Sequence, residues 1–278
     1  MSEYHIIRAH LVYNELIPER LLIRLARART LKELRSFLPT PAYGPEMASV
    51  HEDTSKEYII AFTRVLQKRI LKLYEGPDEN IQKLLDSYFR KYFYEEKSWQ
   101  IKEKILGKKM IKPYFPSLVH EKIEVDIPSD IITLATKHSN TLIIDTYLYK
   151  LYLQQLHETI NTTPRTFRKE LETLLKLETD YHNTIIHQVF RKNKNLLQIL
   201  QYQNERTRPQ KEIDTDPLQN LYRKLKTWSK DIIKNYYINP LYVIATAILA
   251  EIEWKNLQIV TRAIEVNLPS QITLKLLI

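Results

Sequence analysis

Apolar residues recur at steps of three and four along nearly the whole chain, in long stretches of Leu and Ile interleaved with Lys, Glu and Arg; no clean alternating run interrupts them. That periodicity puts one face of each segment in a core and the other in water, so the predicted fold class is all-α. The helix starts are legible. Thr30-Leu31-Lys32-Glu33 and Thr54-Ser55-Lys56-Glu57 read as capping boxes, while Thr163-Pro164, Asp216-Pro217 and Asn239-Pro240 each set a capping side chain before proline at the first helical position. The segment from Ser55 to Glu75 meets Gly76-Pro77, where a left-handed cap and then a helix breaker are the expected stop. Asp78 or Asn80 then caps the next helix toward Lys104. The longest apolar stretch, Leu241 to Ala250, falls well short of the roughly 20 residues that cross a bilayer and predicts a core helix.

The pattern lapses twice. Between Met110 and Pro128 come three prolines and a short β-branched interval, Ile123 to Ile127, and between Gln203 and Pro217 the chain is polar and charged with nothing to bury. The first lapse reads as a domain boundary and the second as a linker or mobile loop. They divide the chain into 1–113, 114–195 and 196–278. Near the end of each part stands a helix with an acid followed by apolar residues at helical spacing: EEKSWQIKEKIL from Glu95, ETDYHNTIIHQVF from Glu178 and EIEWKNLQIVTRA from Glu251. The aligned acids are Glu96, Asp180 and Glu253, each followed three residues later by Trp99, Asn183 and Asn256. Residues three apart share a helix face, so acid and amide can meet a neighbouring helix together. The expectation is three divergent helical repeats in which these residues hold the terminal helix structurally.

Composition narrows the chemistry. Three glycines, at 44, 76 and 107, leave no glycine-rich phosphate loop, and the absence of cysteine removes disulfides, thiolate nucleophiles, zinc ribbons and Fe–S ligation. With an opening segment that lacks both the h-region and the cleavage site of a signal peptide, this predicts a reducing, intracellular setting. The net charge of +9 is concentrated early: 21 basic against 15 acidic residues in 1–113, 10 against 10 in 114–195 and 11 against 8 in 196–278. Such a bias suits an acidic partner, whether nucleic acid, anionic membrane or acidic protein.

Several motifs resemble the rotor subunit of V-type and archaeal A-type ATPases, called C in archaea and bacteria and d in eukaryotes. LYVIATAILAEIEWKNLQIVTRAIEVNLPSQITLKLL, residues 241–277, is similar to that family's terminal segment, in which an E-x-E-x-x-N-[LI] helix is followed by a short closing helix. Residues 6–47 resemble its opening, with Arg8, the Leu21-Leu22 pair and Tyr43 after a short turn; IDTYLYKLY from Ile144 and ETDYHNTIIHQVFR echo it again. Trp99 replaces the expected Asn in the first copy, and Gly107 stands where many relatives carry the Arg found here as Arg191. The resemblance implies a pseudo-threefold, funnel-like helical body. It further implies a non-catalytic, cofactor-free central-stalk subunit, peripheral to the membrane on its cytoplasmic side, that joins the proteolipid ring to the central shaft and transmits torque.

Nothing in the residues argues for a reaction. His182 and His187, like His5 and His10, are five apart and lie on different helix faces, so no metal is predicted. Glu251 and Glu253 diverge on their helix, and no G-x-S-x-G elbow exists. The competing reading is a basic helical nucleic-acid-binding or scaffold protein, because basic and aromatic residues interleave in DSYFRKYFYEEKSWQIKEK, residues 86–104, although its acids oppose that reading. A rotor subunit needs no specific nucleic acid. In PERLLIRLARAR, residues 18–29, Arg20, Arg24 and Arg27 recur at steps of four and three beside Leu21, Leu22, Leu25 and Ala28, which predicts a helix with a charged stripe for docking an acidic partner.

Overall fold

The computed structural model describes residues 3–76, 78–107, 127–202 and 216–278. Among these it is all-α. The helices are α1 (Glu3–Asn14), α2 (Glu19–Leu25), α3 (Leu31–Phe37), α4 (Thr40–Ala48), α5 (Ser55–Tyr74), α6 (Glu79–Leu106), α7 (Ser129–Lys137), α8 (Leu142–Thr162), α9 (Arg165–Phe190), α10 (Lys194–Leu200), α11 (Pro217–Asn235), α12 (Pro240–Glu265) and α13 (Ser270–Leu276). The predicted boundary and linker, Met110–Pro128 and Gln203–Pro217, lie almost wholly outside the described residues. So does the β-branched interval from Ile123, of which only Ile127 is described. The chain forms two compact units, residues 1–81 with 225–278, and residues 82–224.

In the first unit α12 is the central element. Asn239 Oδ1 accepts the Leu241 N–H at 2.9 Å, Pro240 occupies the first turn, and every residue from Pro240 to Trp254 is buried. A helix apolar on all sides belongs inside a core, and α12 packs against both α5 and α1. The first and last stretches of the chain therefore build one core. α5 turns one face inward, with Tyr58, Phe62, Leu66, Ile70 and Leu73 all buried. Its start is the predicted one, with Thr54 Oγ1 accepting from Glu57 N–H. Its end is not. Glu75 caps α5 in an extended conformation, and Gly107, not Gly76, is the glycine with positive φ. Gly76 meets a different demand: a Cβ there would collide with the imidazole of His5, which is fully buried against it.

In the second unit α6 and α8 are bridged along their length by Ser87–Thr159 (2.6 Å), Arg90–Gln155 (3.2 Å) and Ser98–Asp145 (2.5 Å). α8 and α9 form a helical hairpin, with α7 against α8 and α10 against both. Thr163 is not the cap of α9. Pro164 takes the N-cap position without a side-chain bond, and the Thr163 hydroxyl donates back to the Ile160 carbonyl to close α8. The Thr30, Asp78, Asp216 and Asn239 caps are made as expected, with the Asp78 carboxylate accepting from Asn80 N–H at 3.1 Å.

Candidate functional site

The predicted repeat residues fall at three environments. Glu253 is buried at the centre of the first unit. Its Oε1 accepts from the Tyr43 hydroxyl and from Arg69 Nη1, and its Oε2 from the Ile17 N–H. Arg69, on α5, also donates to the Glu15 carbonyl at 2.8 Å. One carboxylate thus ties α12 to α4, α5 and the α1–α2 link, which explains why a charge survives there: each oxygen is satisfied and the guanidinium is paired. Tyr43 lies in the first turn of α4, just after the short Leu38-Pro39 link from α3. Burial and then the Glu253 charge push its hydroxyl pKa well up, so it stays a donor. For Arg69 burial works against the charge, but Glu253 and Tyr43 outweigh it and hold the pKa above its ordinary value.

The second unit holds a comparable cluster at a residue the repeat alignment passed over. Glu178, fully buried, accepts from the Tyr149 hydroxyl and lies 3.6 Å from Lys91 Nζ. Lys91 is itself buried, 3.9 Å from the centre of the Tyr88 ring. Burial and then Glu178 raise the Tyr149 pKa well above normal. Asp180 is only half-buried, and Glu96 is exposed with Gln100 of its own helix as neighbour. The signal for Glu178 was present: it stands five residues before Asn183, as the equally buried Glu251 stands five before Asn256.

The two asparagines do the same thing in both units. Asn183 Nδ2 donates to the Tyr202 carbonyl (3.1 Å) and the Tyr202 N–H donates to Asn183 Oδ1 (3.3 Å). Asn256 Nδ2 donates to the Ile278 carbonyl (3.2 Å) and the Ile278 N–H donates to Asn256 Oδ1 (2.8 Å). Around each clamp the elements match as well. A 26-residue helix, α9 or α12, is followed by a 7-residue helix, α10 or α13, and the clamped residue lies two past its end. α6 carries the half-buried Trp99 at the corresponding place, and residues 108–126 beyond it lie outside the described residues.

His182 and His10 are used in packing. His182 Nε2 donates to the Leu200 carbonyl at 3.0 Å, and burial lowers its pKa to about 4. The ring of His10 lies 4.3 Å from that of Tyr242. In residues 86–104 Tyr88, Phe89, Tyr92 and Tyr94 are buried, as are Lys91 and Lys102, the latter bonded to Asp145, which leaves the half-buried Phe93 and Trp99 as the aromatics nearest solvent. The arginine stripe is redistributed. α2 ends at Leu25, where the chain tightens into i→i+3 bonds, Arg27 N–H to the Arg24 carbonyl and Ala28 N–H to that of Leu25, both 3.1 Å. Arg20 and Arg24 are exposed on the helix, Arg24 lying 4.0 Å over the Phe37 ring, while Arg27 is exposed in the turn beyond it.

Paired buried charges, clamped helix ends and an exposed basic surface define a braced helical protein. The family model described as ATP synthase (C/AC39) subunit matches residues 8–199, and the chain belongs to that family of rotary ATPase subunits. Comparison with curated proteins gives no significant match. No helix among the described residues is long and apolar enough to cross a membrane.

Proposed function

We propose that this chain is a non-catalytic central-stalk subunit of an A/V-type rotary ATPase, placed peripherally on the cytoplasmic face of the membrane. There it joins the proteolipid ring to the central shaft and transmits torque between ion translocation and ATP synthesis or hydrolysis. The family match over residues 8–199 carries this reading. Physical support comes from the bracing: a torque-bearing part must resist shear between helices, and Glu253 with Arg69, Glu178 with Lys91, and the two asparagine clamps cross-link helices inside each unit. The matching α9–α10 and α12–α13 hairpins support divergent copies of one helical unit, of which the proposal has three, 1–113, 114–195 and 196–278, around a pseudo-threefold axis; α10 and the clamped Tyr202 carry the second hairpin past residue 195. Arg20, Arg24 and Arg27 are the proposed docking residues for acidic groups on the shaft or ring.

Co-purification tests the assignment. The tagged chain should bring down shaft, head and proteolipid subunits from detergent-solubilised membranes, and its deletion should uncouple ATP hydrolysis from ion transport. Isolation without those subunits would refute it. Replacing Arg20, Arg24 and Arg27 together by Glu should weaken association most at low salt. Unchanged affinity in a folded triple variant would remove the stripe from the interface.

A further inference from the structure

α1 carries apolar residues on both of its sides. Ile6, Ala9 and Val12 are buried on the side that packs against α5 and α12, while Tyr4, Ile7 and Leu11, at steps of three and four, share the opposite side and are uncovered. The uncovered face extends beyond the helix. His10, between Ile7 and Leu11, has its Nε2 3.2 Å from the Tyr237 carbonyl, which sets the turn between α11 and α12 alongside and adds Tyr237 and Ile238 to the face. Ile7, Leu11 and Tyr237 are each 58% exposed and Ile238 61%, so these side chains stand proud of the surface instead of lining a groove. An exposed apolar set of this kind marks association with a protein or a membrane. The ionised groups at its edge are largely paired within the chain: Arg8 with Glu75, Lys72 with Glu15 at 2.8 Å and Lys230 with Glu19 at 3.8 Å. Glu3, Asp231 and Lys234 add exposed charges of both signs, so no single sign of charge surrounds the face and its occupant is met by apolar area. Protruding side chains suit a medium that closes around them, where a protein would need a matching hollow. Tyrosine, with an apolar ring and a polar tip, suits the level at which hydrocarbon meets headgroup, and Tyr4 and Tyr237 both belong to the face.

We propose that Tyr4, Ile7, Leu11, Tyr237 and Ile238 seat this chain on a phospholipid bilayer, entering the boundary between headgroups and acyl chains, with neutral phosphatidylcholine sufficient as the lipid. The proposal rests on the stalk reading in placing the chain beside a membrane that no described helix is able to cross. It differs in kind from docking through Arg20, Arg24 and Arg27: the drive is burial of apolar surface, so salt leaves it nearly unchanged.

The test is co-sedimentation of the full chain with phosphatidylcholine vesicles at low and high salt. Expected is binding at both, at least tenfold weaker in I7S/L11S and in Y237S/I238S. V266S/I272S should bind like wild type, since those exposed residues lie beyond the other end of α12 from Tyr242, the residue that His10 stacks on. All six positions are exposed, and thermal melts confirm that each variant folds. Because the chain has no cysteine, I238C and I272C each take a single environment-sensitive nitrobenzoxadiazole label, whose emission should brighten and shift to the blue on vesicles for I238C and stay unchanged for I272C. Absence of binding, binding confined to anionic vesicles and lost at high salt, or equal loss in V266S/I272S would overturn the proposal. So would self-association without lipid that I7S/L11S abolishes, which would make the face a contact between two copies. The co-purification described above decides the stalk reading separately: vesicle binding by a chain that does not assemble refutes that reading and keeps the lipid face, and assembly without vesicle binding does the reverse.

Discussion

Glu253 and Arg69 are nearly dry, and a lone charge in that position is costly. Removing one partner strands the other, so Glu253→Ala should cost about 3–5 kcal/mol in a denaturant titration, whereas the paired change Glu253→Leu with Arg69→Met should cost much less than the sum of the two single changes. Strict additivity would show that the two groups are not coupled. Asn183→Ala and Asn256→Ala each strand a backbone N–H and a carbonyl, and about 2–3 kcal/mol is expected for either, by the same measurement. Asp180→Ala, at a half-buried position, should cost less than either. At this scale the sequence disclosed the asparagines, because an amide three residues after an acid recurs in two segments. It held a faint mark of Glu178, the five-residue step to its Asn shared with Glu251, but not the choice between Glu178 and Asp180, since which of two acids on a helix turns inward depends on the tyrosine and lysine that other helices bring to it.

Among the elements, the caps were the most readable feature, for a capping side chain acts on backbone two or three residues away and needs nothing distant. Thr54→Ala should lower stability by about 1 kcal/mol, read from the thermal midpoint. Helix ends were less readable where tertiary contacts set them. Gly76 looked like a left-handed cap, but its missing Cβ is needed by His5, far away in the chain. Gly76→Ala should therefore destabilise, and a shortened side chain in His5→Ala should relieve most of that loss. An equal loss in both backgrounds would return the explanation to backbone conformation. α2 stops at Leu25 although its apolar and basic spacing runs on to Arg29, because spacing records which face is buried and a tight turn can preserve it.

For the molecule as a whole, helical class was plain from periodicity, and far-UV circular dichroism should give a helix fraction well above the roughly one third of an average globular protein. The partnership of α12 with α1 and α5 was not, since no local pattern records which distant segments share a core. The second unit should also be acid-sensitive. Unfolded histidine titrates near 6.5 and His182 at about 4, so between those values the unfolded chain binds a proton that the native state does not. Stability is thus complete above about pH 6.5 and falls by up to about 3 kcal/mol as pH drops toward 4. Hydrogen exchange should show α9 and α10 losing protection across that window, and His182→Gln should flatten the change.

The asparagine clamps grip their targets by peptide atoms alone. Tyr202 and Ile278 are held by N–H and carbonyl, so the grip is blind to what either residue carries. Such a fastening fixes only the peptide group and leaves the side chain to its surroundings, so two copies of one hairpin can share the asparagine while burying different residues: here Tyr202, whose hydroxyl lies 2.7 Å from His157 Nδ1, and Ile278, both buried. Proline is barred from both positions for want of the N–H. A saturation library should reject proline at either position, admit other apolar residues at 278 more readily than charged ones, and favour tyrosine at 202.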